Sequence, residues 1–92
     1  MEKLDKLLKI ISNEYRYKIF LMLLDGEKCV CEIIPKMNLS QPLVSYHINI
    51  LKKSGLVKNK WIGRRNSYYI NKKKLEKFKK IINETFILRI YE

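Results

Sequence analysis

Apolar residues in the first half of the chain recur at three- and four-residue spacing, and beyond Gly55 they begin to alternate with polar ones. That change of period marks a passage from helices into a hairpin. Leu4, Leu7, Leu8 and Ile11 form a stripe on a short first helix. Asn13 is placed to cap a second helix, which turns Tyr15, Ile19, Met22 and Leu23 inward before Asp25-Gly26 stops it. A third helical segment is expected over Val30 to Met37. Pro35 within it removes a hydrogen bond and adds a clash, at about 3 kcal/mol in a helix interior, so this segment is expected to kink or to start only near Pro35. Asn38-Leu39 then forms a tight turn.

The fourth segment, SQPLVSYHINILKKSGL, carries both of its boundaries. Ser40 can cap it with its hydroxyl, Pro42 sits in the first turn where a missing N–H costs nothing, and Gly55 can end it in the left-handed conformation. Leu43 or Val44, Ile48 and Leu51 face the core at helical spacing. Gln41, Ser45, Tyr46, Asn49 and Lys52 fall on or beside the other face, which is polar and free of acid. Such a face suits the major groove, where amides, hydroxyls and an aromatic ring reach base edges while lysine meets phosphate. Segments three and four together read as a helix-turn-helix.

Leu56 to Ile62, the turn Gly63-Arg64-Arg65-Asn66 and Ser67 to Ile70 read as a β-hairpin, the wing of a winged helix. Its tip places Arg64 and Arg65 to follow phosphates or enter the minor groove, with Lys58 and Lys60 on the strand leading there. Of Tyr68 and Tyr69, one should face the core and the other solvent, and Trp61 is expected to pack against the strand. Asn71 caps a last helix, Lys72 to about Tyr91, with Leu75, Phe78, Ile82, Phe86 and Ile90 in one apolar line. Its end, FILRIY, is too apolar for a free terminus. A seam made by residues 1–12 and 72–92 with the same elements of a symmetric partner would cover it. The expected fold is thus mainly α with a small β-hairpin, a single winged helix-turn-helix domain over residues 1–92, dimerised through its first and last helices.

Charge points the same way. Against 9 Asp and Glu stand 20 Lys and Arg, a net charge of +11 that favours a polyanionic partner. From Lys52 to Lys80 there are twelve basic residues and one acid, Glu76. No apolar run approaches the ~18 residues of a membrane span and no leader is evident, so a cytoplasmic protein is expected. Cys29 and Cys31 are too few and too close for a secreted disulfide framework. With no phosphate loop, paired acids or nucleophile-base pattern, an enzyme finds no support.

Three stretches in order resemble the ArsR family of bacterial and archaeal winged-helix repressors: SNEYRYKIFLMLLDGEKCVCEI, SQPLVSYHINILKKSGLV and GRRNSYYI. The resemblance spans nearly everything from Ser12 to Ile70. It implies a homodimer that binds a palindromic operator in double-stranded DNA near its own gene and releases it when an inducer, often a metal or metalloid, binds. Candidate DNA-binding residues are Ser40, Gln41, Pro42, Ser45, Tyr46, His47, Asn49 and Lys52 on the helix, and Lys58, Lys60, Arg64 and Arg65 on the wing. His47 matches a histidine of the family's recognition helix; it is read first as a packing hydrogen bond and second as a phosphate contact.

The inducer site departs from the family pattern. Arsenite-sensing members with this motif have a third cysteine where this chain has Ile34, and zinc-sensing members use histidines on the last helix, which has none here. Residues i and i+2 of a regular helix point about 200° apart, so Cys29 and Cys31 share an ion only where the helix is broken. Three readings of the pair stand: core packing, ligands for a soft metal or metalloid completed across the dimer, or a redox switch that bridges to another subunit or forms a mixed disulfide more readily than it closes within the chain. No cofactor is expected to be needed for folding. The alternative to a sequence-specific repressor is a basic winged-helix module that binds nucleic acid without sequence choice or serves as a protein-contact subunit.

Overall fold

The computed structural model describes residues 4–87, the side chain of Ile87 excepted. The elements run α1 (Leu4–Ser12), α2 (Glu14–Leu24), β1 (Lys28–Cys29), α3 (Val30–Met37), α4 (Gln41–Lys53), β2 (Val57–Ile62), β3 (Arg65–Ile70) and α5 (Lys72–Ile82), followed by a π-helical turn over Asn83–Ile87. The expected continuation of the last helix through Ile90 to Tyr91 lies outside the described residues.

The starts of α2, α4 and α5 each have a local cause. The Asn13 side chain accepts hydrogen bonds from the N–H groups of Tyr15 and Arg16, at 3.0 and 3.2 Å. Ser40 Oγ accepts from Leu43 N–H at 3.4 Å, and Asn71 Oδ1 accepts from Lys74 N–H at 3.3 Å. Such caps satisfy donors that have no partner inside the helix, typically contributing about 1 kcal/mol each. Asn71 also donates from Nδ2 to the Gly55 carbonyl at 2.9 Å, so one side chain ties the start of α5 to the end of α4. Asn38 has φ 55° at the end of α3, and Gly55 has φ 87° just beyond α4. These two left-handed residues turn the chain into α4 and out of it.

One core takes a residue or more from every helix. Val44, Ile48 and Leu51 of α4 are fully buried and meet Ile33 and Met37 of α3, Ile19 and Leu23 of α2, Leu7 of α1 and Phe78 of α5. Val44 is the inward residue of its pair, whereas Leu43 is 47% exposed. Burying each such side chain contributes about 1.5–3 kcal/mol relative to leaving it in water. Leu8 of the α1 stripe stays exposed, as does Phe86 beyond α5.

Several expectations are corrected. The sheet has three strands in the order β1-β3-β2, because Lys28 pairs with Tyr68 and Cys29 with Ser67 in addition to the hairpin. A two-residue strand is below the length at which alternation can be read. The hairpin turn is Gly63-Arg64 alone, with Ile62 opposite Arg65, since Gly63 at φ 62° supplies the positive dihedral that a two-residue hairpin needs at its first position. The start of α3 lies at Val30, not near Pro35, and the helix runs on to Met37, with Pro35 on the exposed side of a helix only eight residues long. Tyr68 and Tyr69 are both half-buried. Trp61, expected to pack, is 66% exposed.

Candidate DNA interface

The outward face of α4 is built by the same periodicity that buries its inner one. With Val44, Ile48 and Leu51 fixed inward, Gln41, Pro42, Ser45, Tyr46, Asn49 and Lys52 stand in solvent, together with Ser40 before the first turn. Tyr46 is 58% exposed and carries the largest side chain of this set. No acidic residue lies on the helix. The face therefore offers hydrogen-bonding side chains of both polarities and two lysines, Lys52 and Lys53, in its last turn.

His47 is placed differently from its neighbours. It is buried, and its Nδ1 lies 3.1 Å from Arg16 Nη1. A guanidinium has donors only, so Nδ1 accepts and the ring proton sits on Nε2. Arg16 also donates from Nε to the Ile10 carbonyl at 2.7 Å, and Tyr15 and Tyr46 flank the imidazole with ring centroids at 5.4 and 5.1 Å. Burial, and secondarily the Arg16 charge, hold the His47 pKa below its ordinary value. The neutral ring thus couples α4 to the corner between α1 and α2, the packing role read first for it.

On the wing, strand register puts Lys58, Lys60 and Arg65 on one face, opposite Tyr69, Ser67 and Ile62 respectively. Lys60 Nζ lies 5.5 Å from the Tyr69 ring centroid and 3.0 Å from Glu27 Oε1. Arg65 is ion-paired with Glu32. Both carboxylates have lowered pKa values: Glu27 chiefly through the Lys60 hydrogen bond and then Ser67, Glu32 chiefly through the Cys29 backbone N–H and then Arg65. Arg64 stands exposed at the turn, and among the described residues neither it nor Lys58 meets an acid. A count of charges along the sequence between Lys52 and Lys80 sees only Glu76. The acids that matter arrive from residues 27 and 32, a contact no linear pattern carries.

Cys29 precedes α3 as its N-cap, in extended conformation. Its Sγ accepts from Cys31 N–H at 2.9 Å while Glu32 Oε1 accepts from Cys29 N–H at 3.0 Å, a reciprocal capping box with sulfur in the place of a hydroxyl oxygen. The angular argument against the pair assumed that both residues were helical. With the helix starting at Val30, their Cα atoms are 5.1 Å apart and the two sulfurs lie side by side as a disulfide pair within the chain. An open hollow of about 590 Å³ separates this corner from the wing tip, with Cys29, Val30 and Cys31 on one side and Trp61, Ile62 and Arg64 on the other. Among the described residues no group of three His, Cys, Asp or Glu is gathered to hold a metal ion. Two sulfurs alone do not complete a soft-metal site. No helix there is long and apolar enough to cross a membrane.

A helix-turn-helix whose second helix exposes an acid-free polar face, followed by a basic β-hairpin, defines a winged-helix DNA-binding regulator. The profile of the bacterial regulatory proteins of the arsR family matches residues 13–59. An uncharacterized HTH-type transcriptional regulator of Methanocaldococcus jannaschii is 37% identical over 90% of this chain and 94% of its own length. This chain belongs to the arsR family and is a transcriptional regulator, not an enzyme. The arsenical resistance operon repressor of Escherichia coli is 39% identical over 71% of this chain, which spans 60% of that protein. In the solved structure of HlyU from Vibrio cholerae, the chain matches with a TM-score of 0.73 and 30% identity, over 95% of this chain and 99% of that one.

Proposed function

We propose that the protein is a homodimeric repressor that recognises a palindromic operator in double-stranded DNA through the outward face of α4 and steadies itself on the flanking phosphates with the wing. The observation that carries this reading is the acid-free face of Ser40, Gln41, Pro42, Ser45, Tyr46, Asn49 and Lys52, exposed beside Lys58 and Arg64. In this reading His47 supports the helix from behind, and Lys60 and Arg65 reach DNA only by leaving their carboxylates. Dimerisation through α1 and the end of α5 is supported by the exposed Leu8 and Phe86. A two-fold operator follows from a two-fold protein. The regulator acts in the cytoplasm, where DNA is reached.

The effector is a thiophile or an oxidant acting at Cys29 and Cys31. The arsenical resistance named for the Escherichia coli relative supports a soft metal or metalloid, with the two sulfurs as part of a donor set completed from outside this subunit. The test is competition fluorescence anisotropy of reduced protein, comparing the duplex upstream of its own gene with a scrambled one at fixed salt. A preference of about 10³ or more is expected for the operator, relieved by arsenite, cadmium or diamide. Equal binding to both duplexes would replace the repressor with a basic module that binds nucleic acid without sequence choice.

A further inference from the structure

The strand that bears Cys29 is flanked by two acids, and each of them holds one cation of the wing. Glu27, two residues before Cys29, is 3.0 Å from Lys60 on β2; Glu32, three residues after it, pairs with Arg65 on β3. Between the two, the backbone of β1 is hydrogen-bonded to β3 at Lys28–Tyr68 and Cys29–Ser67. The segment Glu27–Glu32 thus grips the wing at one point on each of its strands. Glu32 is itself fixed, because its carboxylate accepts the Cys29 N–H in the capping box.

We propose that Glu27 and Glu32 form an electrostatic latch on the wing, standing in for DNA phosphates at Lys60 and Arg65 and keeping these two cations from DNA for as long as the latch is closed. The latch rests on the reading in which the wing meets phosphate. A carboxylate and a phosphate oxygen make the same charge-assisted bond with an ammonium or a guanidinium, so the two compete for one geometry. Both pairs are exposed enough for exchange: the side chains of Lys60 and Glu27 are 54% and 36% accessible, and those of Arg65 and Glu32 are 52% and 42% accessible. A latched wing presents Lys58 and Arg64 to a first encounter. A released wing presents four cations, so latching weakens binding to DNA of any sequence and keeps discrimination on α4. Because Glu32 hangs from the Cys29 N–H and the Cys29 sulfur caps Cys31, whatever binds those sulfurs acts on a segment already joined to the wing.

Glutamine is the informative substitution, since at the third helical position it keeps the capping hydrogen bond and loses only the charge. The full-length Glu27→Gln/Glu32→Gln protein is compared with wild type on a labelled random-sequence duplex, by anisotropy across a range of potassium chloride. Each freed cation adds about 0.9 to the salt slope, so the slope should steepen by about 1–2 and binding tighten roughly tenfold at low salt. Asp5→Asn on α1, which faces no wing residue in any ion pair here, should leave the slope unchanged. Weaker binding by the double variant would mean that the acids merely brace the wing, and an equal change in Asp5→Asn would mean that bulk charge is responsible; either result overturns the latch. Arg64→Ala separates the two levels. If it lowers the slope while the glutamine variant does not raise it, the latch fails and the wing contact stands; if Arg64→Ala leaves the slope unchanged, the wing contact falls and the latch with it.

Discussion

The outer face of α4 and the face of the wing draw on similar residues and reach opposite states. On α4 the polar side chains project from a helix whose inner side is locked into the core, and none of them meets an acid. On the wing, two of four cations are already paired, and the strands rest on the body through β1 and two surface ion pairs. The proposed reader is a helix fixed from behind, whereas the wing is a charge store that another part of the chain has partly spent. The difference comes from what positions each: burial of Val44, Ile48 and Leu51 in one case, exposed electrostatics in the other, and exposed pairs are weak and screened by salt.

The largest test of this contrast removes the support behind the reader. Leu51→Ala empties a fully buried site and should cost about 2–5 kcal/mol in urea unfolding, a large part of the stability of so short a chain. A loss under 1 kcal/mol would mean that α4 is not held by its inner face.

Next comes sequence choice. Gln41→Ala and Ser45→Ala should each reduce discrimination between operator and scrambled duplex by about 1–3 kcal/mol while leaving the salt slope alone, because base-edge contacts carry the choice. Arg64→Ala should do the reverse, lowering the slope by about 0.9 on every duplex. If both kinds of variant changed slope and discrimination together, helix and wing would not divide the work as drawn here.

His47 gives the contrast a pH signature. Its folded-state pKa lies below its ordinary value, so the unfolded chain takes up the proton first. Stability should therefore be full at neutral pH and above, and decline as pH falls through the ordinary histidine range, about 6.5, toward the lower folded value. His47→Gln should flatten that slope, read by urea midpoints across the same window. A decline of equal size in the variant would place the titrating group elsewhere.

The sequence made α4 legible and left the wing half-read for a physical reason. Ser40, Pro42 and Gly55 act within a few residues of themselves, and the inward stripe needs only a period of 3.6, so start, stop and face could all be read locally. The same holds for Asn13 and Asn71 as caps. Nothing local predicts that Glu27 and Glu32 reach Lys60 and Arg65, or that Lys28 and Cys29 add a strand to β3, because those contacts join segments some thirty or more residues apart. The role of Arg16 was hidden likewise: it stood in a motif, while its partner His47 came from another helix. The cysteine pair falls at the helix boundary, with Cys29 outside α3 and Cys31 inside it, so the angular rule for a regular helix does not apply to it. A capping signal was present in Glu32 three positions on, as in a capping box, but cysteine is a rare occupant of the first position and was not read as one.

The smallest expected effect sits at the wing tip. Trp61, at 66% exposure, faces the hollow beside Cys31 without being packed into it. Trp61→Ala should change unfolding free energy by no more than about 0.5 kcal/mol, the range for surface positions, in contrast to Leu51→Ala. As the only tryptophan in the chain, Trp61 also serves as an internal reporter: in the wild-type protein its emission should shift when duplex DNA or a thiophile such as arsenite approaches the hollow, while α4 substitutions leave the ligand-free spectrum unchanged. A blue-shifted emission in free protein, or a loss of several kcal/mol on substitution, would show the tip buried against another surface, and the wing would then be as firmly held as the helix it flanks.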